Sequence, residues 1–295
     1  MTSHPGRPQT RPALRESVLR ERLLAPAGPL ARLDVVDRTG STNGDLAAAL
    51  GRDASALPDR ALLVAELQVA GRGRAGRHWE APARSSLAVS YLLRPGPTVP
   101  VPTFGWLPLL AGLAAVTALR TSTGAEVRLK WPNDLVVVSP DAVELAGWDT
   151  ERKVGGILSE LVTTSTGPVA LLGIGINVSQ RRDELPVESA ASLLTANLGE
   201  IDREALLVAL VTAVVAVDLR WREAHGDAVA AGLADECAAA CGTLGRKVHV
   251  DLPGGAVIEG QALALGPDGS LVVEDSTGRV RSVLAGDVRH LRASA

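Results

Sequence analysis

Six short apolar runs between residues 61 and 178, interrupted by one helix-like segment, are what most constrain how this chain can fold. ALLVAELQVA (61–70) and SSLAVSYLL (85–93) read as buried strands, each ending in turn-forming or glycine-rich sequence. WLPLLAGLAAVTALRTSTG (106–124) has the pattern of a helix stopped by Gly124. VRLKW, LVVV, GGILSELV and VALLGIGINV are four further strands joined by short polar turns, apart from the loop SPDAVELAGWDTER at 139–152. REALLVALVTAVVAVDLRWREA then predicts a long apolar helix, and another is expected near 227–240. This order implies an α+β fold, a mixed β-sheet with helices packed on it.

From about Gly242 the texture changes to short alternating strands separated by glycine turns, as in RKVHVDL and PDGSLVVEDSTG, which fits a small β-barrel. The expected organisation is a loosely ordered Pro- and Arg-rich tail over 1–32, a main domain over 33–241 and a C-terminal domain over 242–295. No apolar stretch reaches the roughly 20 residues of a bilayer-spanning helix, and the charged N-terminus lacks a signal peptide's apolar core. A cytoplasmic protein without a membrane partner is expected. The net charge of −3 argues against a surface built for nucleic acid. Cys237 and Cys241 read as reduced, partly buried thiols, since no closely spaced histidine or cysteine pair follows to complete a zinc site.

Gly71-Arg72-Gly73-Arg74-Ala75-Gly76-Arg77-His78-Trp79 directly follows a strand. Its glycines allow close backbone approach and its arginines supply forks for carboxylate and phosphate, so the chemistry suggested is anion capture by a pliable loop. G-x-G-x-x-G is satisfied, but Pro82 stands where a dinucleotide-binding helix should open, and no acid follows at the ribose-holding distance. Lys130-Trp131-Pro132-Asn133-Asp134 ends another strand, where an ordinary β-turn would also suit. Lys153 precedes Gly155-Gly156, Gly173-Ile174-Gly175-Ile176-Asn177 offers a second close-approach surface, and Ser41-Thr42-Asn43 precedes an apolar helix that Ser or Thr would cap. Lysine occurs only at 130, 153 and 247, so in an arginine-rich chain two of the three fall in these segments. Such positions are candidates for a point charge that a guanidinium cannot imitate.

Taken together and in this order, STN (41–43), AELQVAGRGRAGRHW (65–79), KWPND (130–134), KVGGILSEL (153–161) and GIGINV (173–178) resemble the catalytic domain of biotin-protein ligases. The resemblance implies a class II synthetase-like biotin/lipoate ligase domain followed by a small SH3-like β-barrel. It also implies ATP-dependent activation of biotin to biotinyl-5′-AMP and transfer to a lysine of a biotin carboxyl carrier protein domain. By the same resemblance Ser41, Thr42, Asn43, Gln68, Gly71, Arg72, Gly73, Arg74, Lys153, Gly155 and Gly156 bind biotin. Arg74, Arg77, Trp79, Lys130, Asn133 and Asn177 bind ATP or adenylate, with Trp79 on the adenine side. Lys153, Arg72, Arg74 and Asp134 carry the chemistry. Mg2+ is expected to arrive with ATP, near Asp134 or Asn177, rather than in a fixed protein cage.

Two departures accompany the resemblance: the chain from Lys130 to Lys153 is longer than the usual hairpin, and only about 32 residues precede the core, too few for a winged helix, so the resemblance is to the type without a DNA-binding domain. A lipoate ligase or octanoyl transferase of the same architecture is the nearest alternative. A nucleic-acid-binding regulator using the arginine loop is the alternative from another class.

Overall fold

The structure, a computed structural model, describes residues 11–138 and 143–291. Helix α1 (Glu16–Leu23) precedes β1 (Arg32–Val36), and α2 (Thr42–Arg52) leads to β2 (Ala61–Ala65). A small hairpin, β3 (Gly71–Arg72) and β4 (His78–Trp79), comes before β5 (Ser86–Leu93) and α3 (Leu107–Thr123). Strands β6 (Val127–Lys130), β7 (Asp134–Val138), β8 (Glu151–Thr164) and β9 (Gly167–Asn177) follow, then α4 (Arg203–Glu223) and α5 (Leu233–Ala240). Seven of these strands form one sheet in the order β1-β2-β5-β9-β8-β7-β6, mixed because β1 and β2 pair in parallel while the other neighbours are antiparallel.

Strand side chains alternate between faces, and the apolar pattern here serves both. Leu62, Val64, Leu87, Val89, Leu172 and Ile174 join the large core that holds α3 and α4, whereas Ala61, Leu63, Leu92, Val169 and Leu171 pack with Leu46 and Leu50 of α2. Helix α3 is apolar all round because it lies between the sheet and α4. Val101–Thr123 is long and apolar enough to cross a bilayer, yet most of it is buried inside the protein. At Gly112 a Cβ would stand 2.4 Å from Leu129 Cδ2, so the missing side chain sets how closely α3 approaches the sheet.

The expectation of a loose tail over 1–32 needs correction for residues 11–32; residues 1–10 lie outside those described. Leu14, Leu19, Leu23 and Leu30 are all buried, each such side chain contributing roughly 1.5–3 kcal/mol. Arg11 pairs with Glu184 at 2.5 Å, Arg15 with Glu204 at 2.7 Å, and the Leu14 amide donates to Glu66 Oε1 at 2.6 Å. Arg11 and Arg15 are thus spent on specific carboxylates.

The second helix expected over 227–240 is shorter, because the αL residue Gly232 (φ 70°) begins α5 only at Leu233. C-terminal strands β10 (Lys247–Asp251), β11 (Val257–Leu265), β12 (Leu271–Asp275), β13 (Val280–Val283) and β14 (Asp287–His290) form an antiparallel sheet in the order β13-β12-β11-β10-β14. Among the described residues β13 and β14 are not paired with each other, so hydrogen bonds do not close the barrel. This sheet docks against the larger unit through tryptophans: Trp106 Nε1 donates to Pro267 O at 2.7 Å and Trp131 Nε1 to Gly269 O at 3.2 Å.

Candidate active site

The α2 face of the sheet changes character toward one end, where large side chains give way to small ones. Pairing aligns Ser90 of β5 with Gly173 of β9 and Leu158 of β8 in one row, and Ala88, Gly175 and Gly156 in the next, with Asp134 of β7 beyond. Cross-strand partners share a face, so these rows carve a channel into the sheet surface. A Cβ on Gly173 would stand 2.9 Å from Asn43 Oδ1, and one on Gly175 would stand 2.6 Å from the Trp79 ring. The channel is lined by Ser41, Thr42, Asn43, Gln68, Arg72, Gly73, Arg74, Arg77, His78, Trp79, Asn133, Lys153 and Gly156.

One end is neutral and finely hydrogen-bonded. Ser41 caps α2, accepting from the Gly44 amide, which fixes the turn that carries Thr42 and Asn43. Gln68 Oε1 accepts from the Thr42 amide at 2.8 Å and from Thr42 Oγ1 at 3.0 Å, while Ser90 Oγ donates to Asn43 Oδ1 at 2.5 Å and lies 2.7 Å from Thr42 Oγ1. With its oxygen engaged twice, Gln68 keeps its amide N–H donors for a ligand. Asn43 Nδ2 is already spent on Leu158 O at 3.1 Å and Glu160 Oε2 at 2.8 Å, so Asn43 can offer only a further lone pair on Oδ1.

The other end gathers charge. Lys153 Nζ lies 2.5 Å from Asp134 Oδ1 and beside Gly156, whose Cβ would come within 3.3 Å of it. Arg74 donates to Asn133 Oδ1 at 3.1 Å, and Asn133 Nδ2 in turn bonds Ile157 O at 2.9 Å. Burial lowers the Arg74 guanidinium from its ordinary value, though a guanidinium stays charged. Arg72 instead reaches toward the neutral end, pairing with Glu160 at 3.0 Å, and Arg77 pairs with Asp287 of the C-terminal sheet. The arginines ride on the β3–β4 hairpin, whose turn passes through Ala75 (φ 52°) and Gly76 (φ 73°) in the left-handed region. For Ala75 that conformation costs roughly 1 kcal/mol, which weakens the hairpin's hold on its own geometry.

Several sequence-predicted positions do not face the channel. Lys130 is buried and donates to Gly147 O at 2.6 Å, with its ammonium 3.7 Å from the centre of the Trp148 ring. Burial pushes Lys130 down to about 8, offset in part by Asp134 and Glu151. Trp148 belongs to the loop at 139–152, of which residues 139–142 lie outside those described. Asn177, the last residue of β9, is held by the segment that follows it, donating to Ala191 O at 3.0 Å and accepting from Gln180 Nε2 at 2.8 Å. Gly155 serves strand packing, since a Cβ there would meet Gly175 O at 2.6 Å, and Gly71 serves the hairpin, where it would meet Trp79 O at 2.4 Å. Trp79 does line the channel, its ring lying over Gly175.

Ser90, Ala88, Leu158, Glu160 and His78 were not singled out by sequence, although they line the channel or bond its walls. Period-two alternation marks them only once the strand pairing is known. Cys237 and Cys241 are buried free thiols, with burial pushing Cys237 up to about 12, and no group of metal-ligating residues occurs among the described residues.

Comparison with known proteins agrees with this geometry. Residues 35–177 match the Biotin/lipoate A/B protein ligase family, and residues 243–291 match the biotin protein ligase C terminal domain. The chain is 39% identical over 290 residues to a biotin–[acetyl-CoA-carboxylase] ligase of Mycobacterium tuberculosis, covering 97% of this chain and 99% of that one. It is 34% identical over 189 residues to a bifunctional ligase/repressor of Escherichia coli, covering 62% of this chain and 51% of that one. Its fold is similar to that of the biotin protein ligase from Aquifex aeolicus in complex with biotin and ATP, at 26% identity and a TM-score of 0.69, covering 90% of this chain and all of that one.

Proposed function

Because the chain belongs to the biotin-protein ligase family, we propose that it condenses biotin and ATP to biotinyl-5′-AMP and pyrophosphate in this channel. The biotinyl group then passes to a lysine of a biotin carboxyl carrier domain of an acyl-CoA carboxylase, releasing AMP. The observation that carries this reading is the channel's polarity: a neutral end with unspent Gln68 donors, a floor of Gly173, Gly175 and Gly156, and a cationic end at Lys153 and Arg74. Biotin has the same polarity, a neutral ureido bicycle joined by an aliphatic chain to a carboxylate.

In this scheme Ser41, Thr42 and Gln68 hold the ureido ring, and Trp79 covers the aliphatic chain. Lys153 and Arg74 neutralise the charge that builds when the carboxylate oxygen attacks the α-phosphorus and pyrophosphate leaves. As phosphate takes over Lys153, Asp134 loses its present partner and becomes available to orient the carrier's lysine amine as it attacks the acyl carbon. Mg2+ would come as the ATP complex, with Asp134 the carboxylate beside Lys153; Asn177, whose Oδ1 already accepts from Gln180, would have one further lone pair to offer. The place of work proposed is the cytoplasm. A lipoate substrate is not favoured, since the relatives described above are biotin enzymes. The test is exchange of labelled pyrophosphate into ATP, with biotin or lipoate and with magnesium, followed by transfer to a recombinant carrier domain. Exchange with lipoate but not with biotin would overturn the assignment.

A further inference from the structure

Glu160 of β8 has no part in the chemistry just described, yet it touches both walls of the channel. Its Oε2 accepts from Asn43 Nδ2 at 2.8 Å and from Arg72 Nη2 at 3.0 Å. Asn43 belongs to the fixed wall: it is buried, held by Ser90 and Leu158, and seated against Gly173. Arg72 belongs to the hairpin, a two-residue ladder with a left-handed turn that is otherwise held by Arg74 on Asn133, Arg77 with Asp287 and Trp79 over Gly175. One carboxylate oxygen therefore joins the rigid recognition turn to the pliable arginine loop. We infer that Glu160 is a positioning residue, a latch that holds Arg72 and its loop across the neutral end of the channel and so encloses the biotin ring.

The chemistry of the pair favours a latch that works without a ligand and persists with one. A guanidinium has five N–H donors, and Glu160 uses one of those on Arg72. The remaining donors can meet a ligand carboxylate while the latch stays closed. Arg72 is about half exposed and Glu160 about a third, so the pair is screened by salt and can open to admit biotin. Glu160 lies at the Asn43 end, away from the Lys153–Asp134 pair, so its removal should change how long biotin stays and not how fast the bond forms.

This inference rests on the biotin reading for its kinetic consequence, but one arm of its test does not use biotin. Glu160→Gln keeps an oxygen acceptor for Asn43 and removes the charge that holds Arg72; Glu160→Ala removes both. In limited trypsin digestion of the unliganded protein, Glu160→Gln should raise cleavage after Arg72, Arg74 or Arg77 by at least about threefold. The parent should show the same rise when salt is increased from about 0.05 to 0.5 M, and Glu160→Gln should be insensitive to salt. In adenylation, KM for biotin should rise about tenfold in Glu160→Gln, with kcat and KM for ATP within about twofold. If Glu160→Gln matches the parent in loop cleavage and in KM for biotin while Glu160→Ala alone is impaired, Glu160 only orients Asn43 and the latch is refuted. A fall in kcat with KM unchanged would likewise overturn it. If the parent does not adenylate biotin at all, the functional assignment fails, and loop cleavage still decides on the latch.

Discussion

Lys153→Ala tests the charged end of the channel, because the structure shows what the lysine leaves behind. Its Nζ stands 2.5 Å from Asp134 Oδ1, with the two side chains 27% and 17% exposed. Losing a charge-assisted hydrogen bond to the developing phosphate charge costs roughly 1.5–3 kcal/mol. The substitution also leaves Asp134 as an uncompensated carboxylate beside the incoming phosphate. Two unit charges about 5 Å apart at an effective dielectric near 20 interact by roughly 3 kcal/mol, which partial exposure reduces to about 1. The combined loss of about 3 kcal/mol slows adenylate formation roughly a hundredfold. Lys153→Ala/Asp134→Asn should recover about fivefold of that loss, since the repulsion is gone while the missing bond is not. Single-turnover formation of biotinyl-adenylate at saturating substrates reads this step without carrier transfer, where Asp134 has its own proposed task. A Lys153→Ala rate within about twofold of the parent would remove the lysine from the site, and a double variant no faster than the single would refute the electrostatic account.

Gly175→Ala places a methyl where the Trp79 ring now lies, 2.6 Å away, and should weaken biotin binding at least about tenfold by calorimetry while shifting Tm by only a few degrees; unchanged affinity would mean that the ring is not a wall of the biotin site. The seam between the two units should respond to pH. Burial holds His290 below its ordinary imidazole value, outweighing the Glu151 carboxylate 3.5 Å away, so the unfolded chain takes up this proton first and stability from this source falls as pH drops through about 6.5. Burial would raise the Glu151 carboxyl, but the neighbouring His290 ring and Arg246, which donates to Glu151 Oε1 at 2.8 Å, hold it below its usual value, so its contribution is lost only in more acidic solution. Tm measured from pH 8 to 5.5 should therefore decline in the parent and flatten in His290→Gln, and parallel slopes would refute this assignment.

How much of this was legible in the sequence depends on whether a residue acts through its neighbours in the chain or through its neighbours in the sheet. Arg72, Arg74 and Lys153 sit in segments whose local composition already suggests ligand contact, Ser41, Thr42 and Gln68 enter through the family resemblance of their segments, and the structure brings all six to one channel. The Gly173-x-Gly175 spacing even announces a shared face, because side chains in a strand repeat every two residues. What opposes that face cannot be read locally. Ser90 and Leu158 become channel residues only because β5 and β8 flank β9 in that register, and each lies far along the chain from its partners. Lys130 shows the reverse error. The resemblance implies contact with ATP or adenylate, but β6 is the edge strand next to the C-terminal unit, and the Lys130 ammonium turns to Gly147 O and the Trp148 ring.

The N-terminal segment misled for a reason of the same kind. Prolines and arginines over the first 30 residues have the composition of a solvated tail, and composition sums over residues that do opposite things. Leu19 and Leu23, four apart on α1, lie on one helix face and bury it against the core. Arg11 and Arg15 find Glu184 and Glu204, which stand more than 160 residues away and could be matched to them only through the fold. The Leu14 amide ends on Glu66 Oε1, and Arg203 bonds the other oxygen at 2.5 Å, so a carboxylate two residues before Gln68 is buried with both oxygens satisfied. A buried carboxylate costs several kcal/mol unless it is paired and hydrogen-bonded, so the ordered strap and the segment after β2 that presents Gln68 to the channel stabilise one another. The segment that composition would discard is therefore tied directly to the turn that carries a recognition residue.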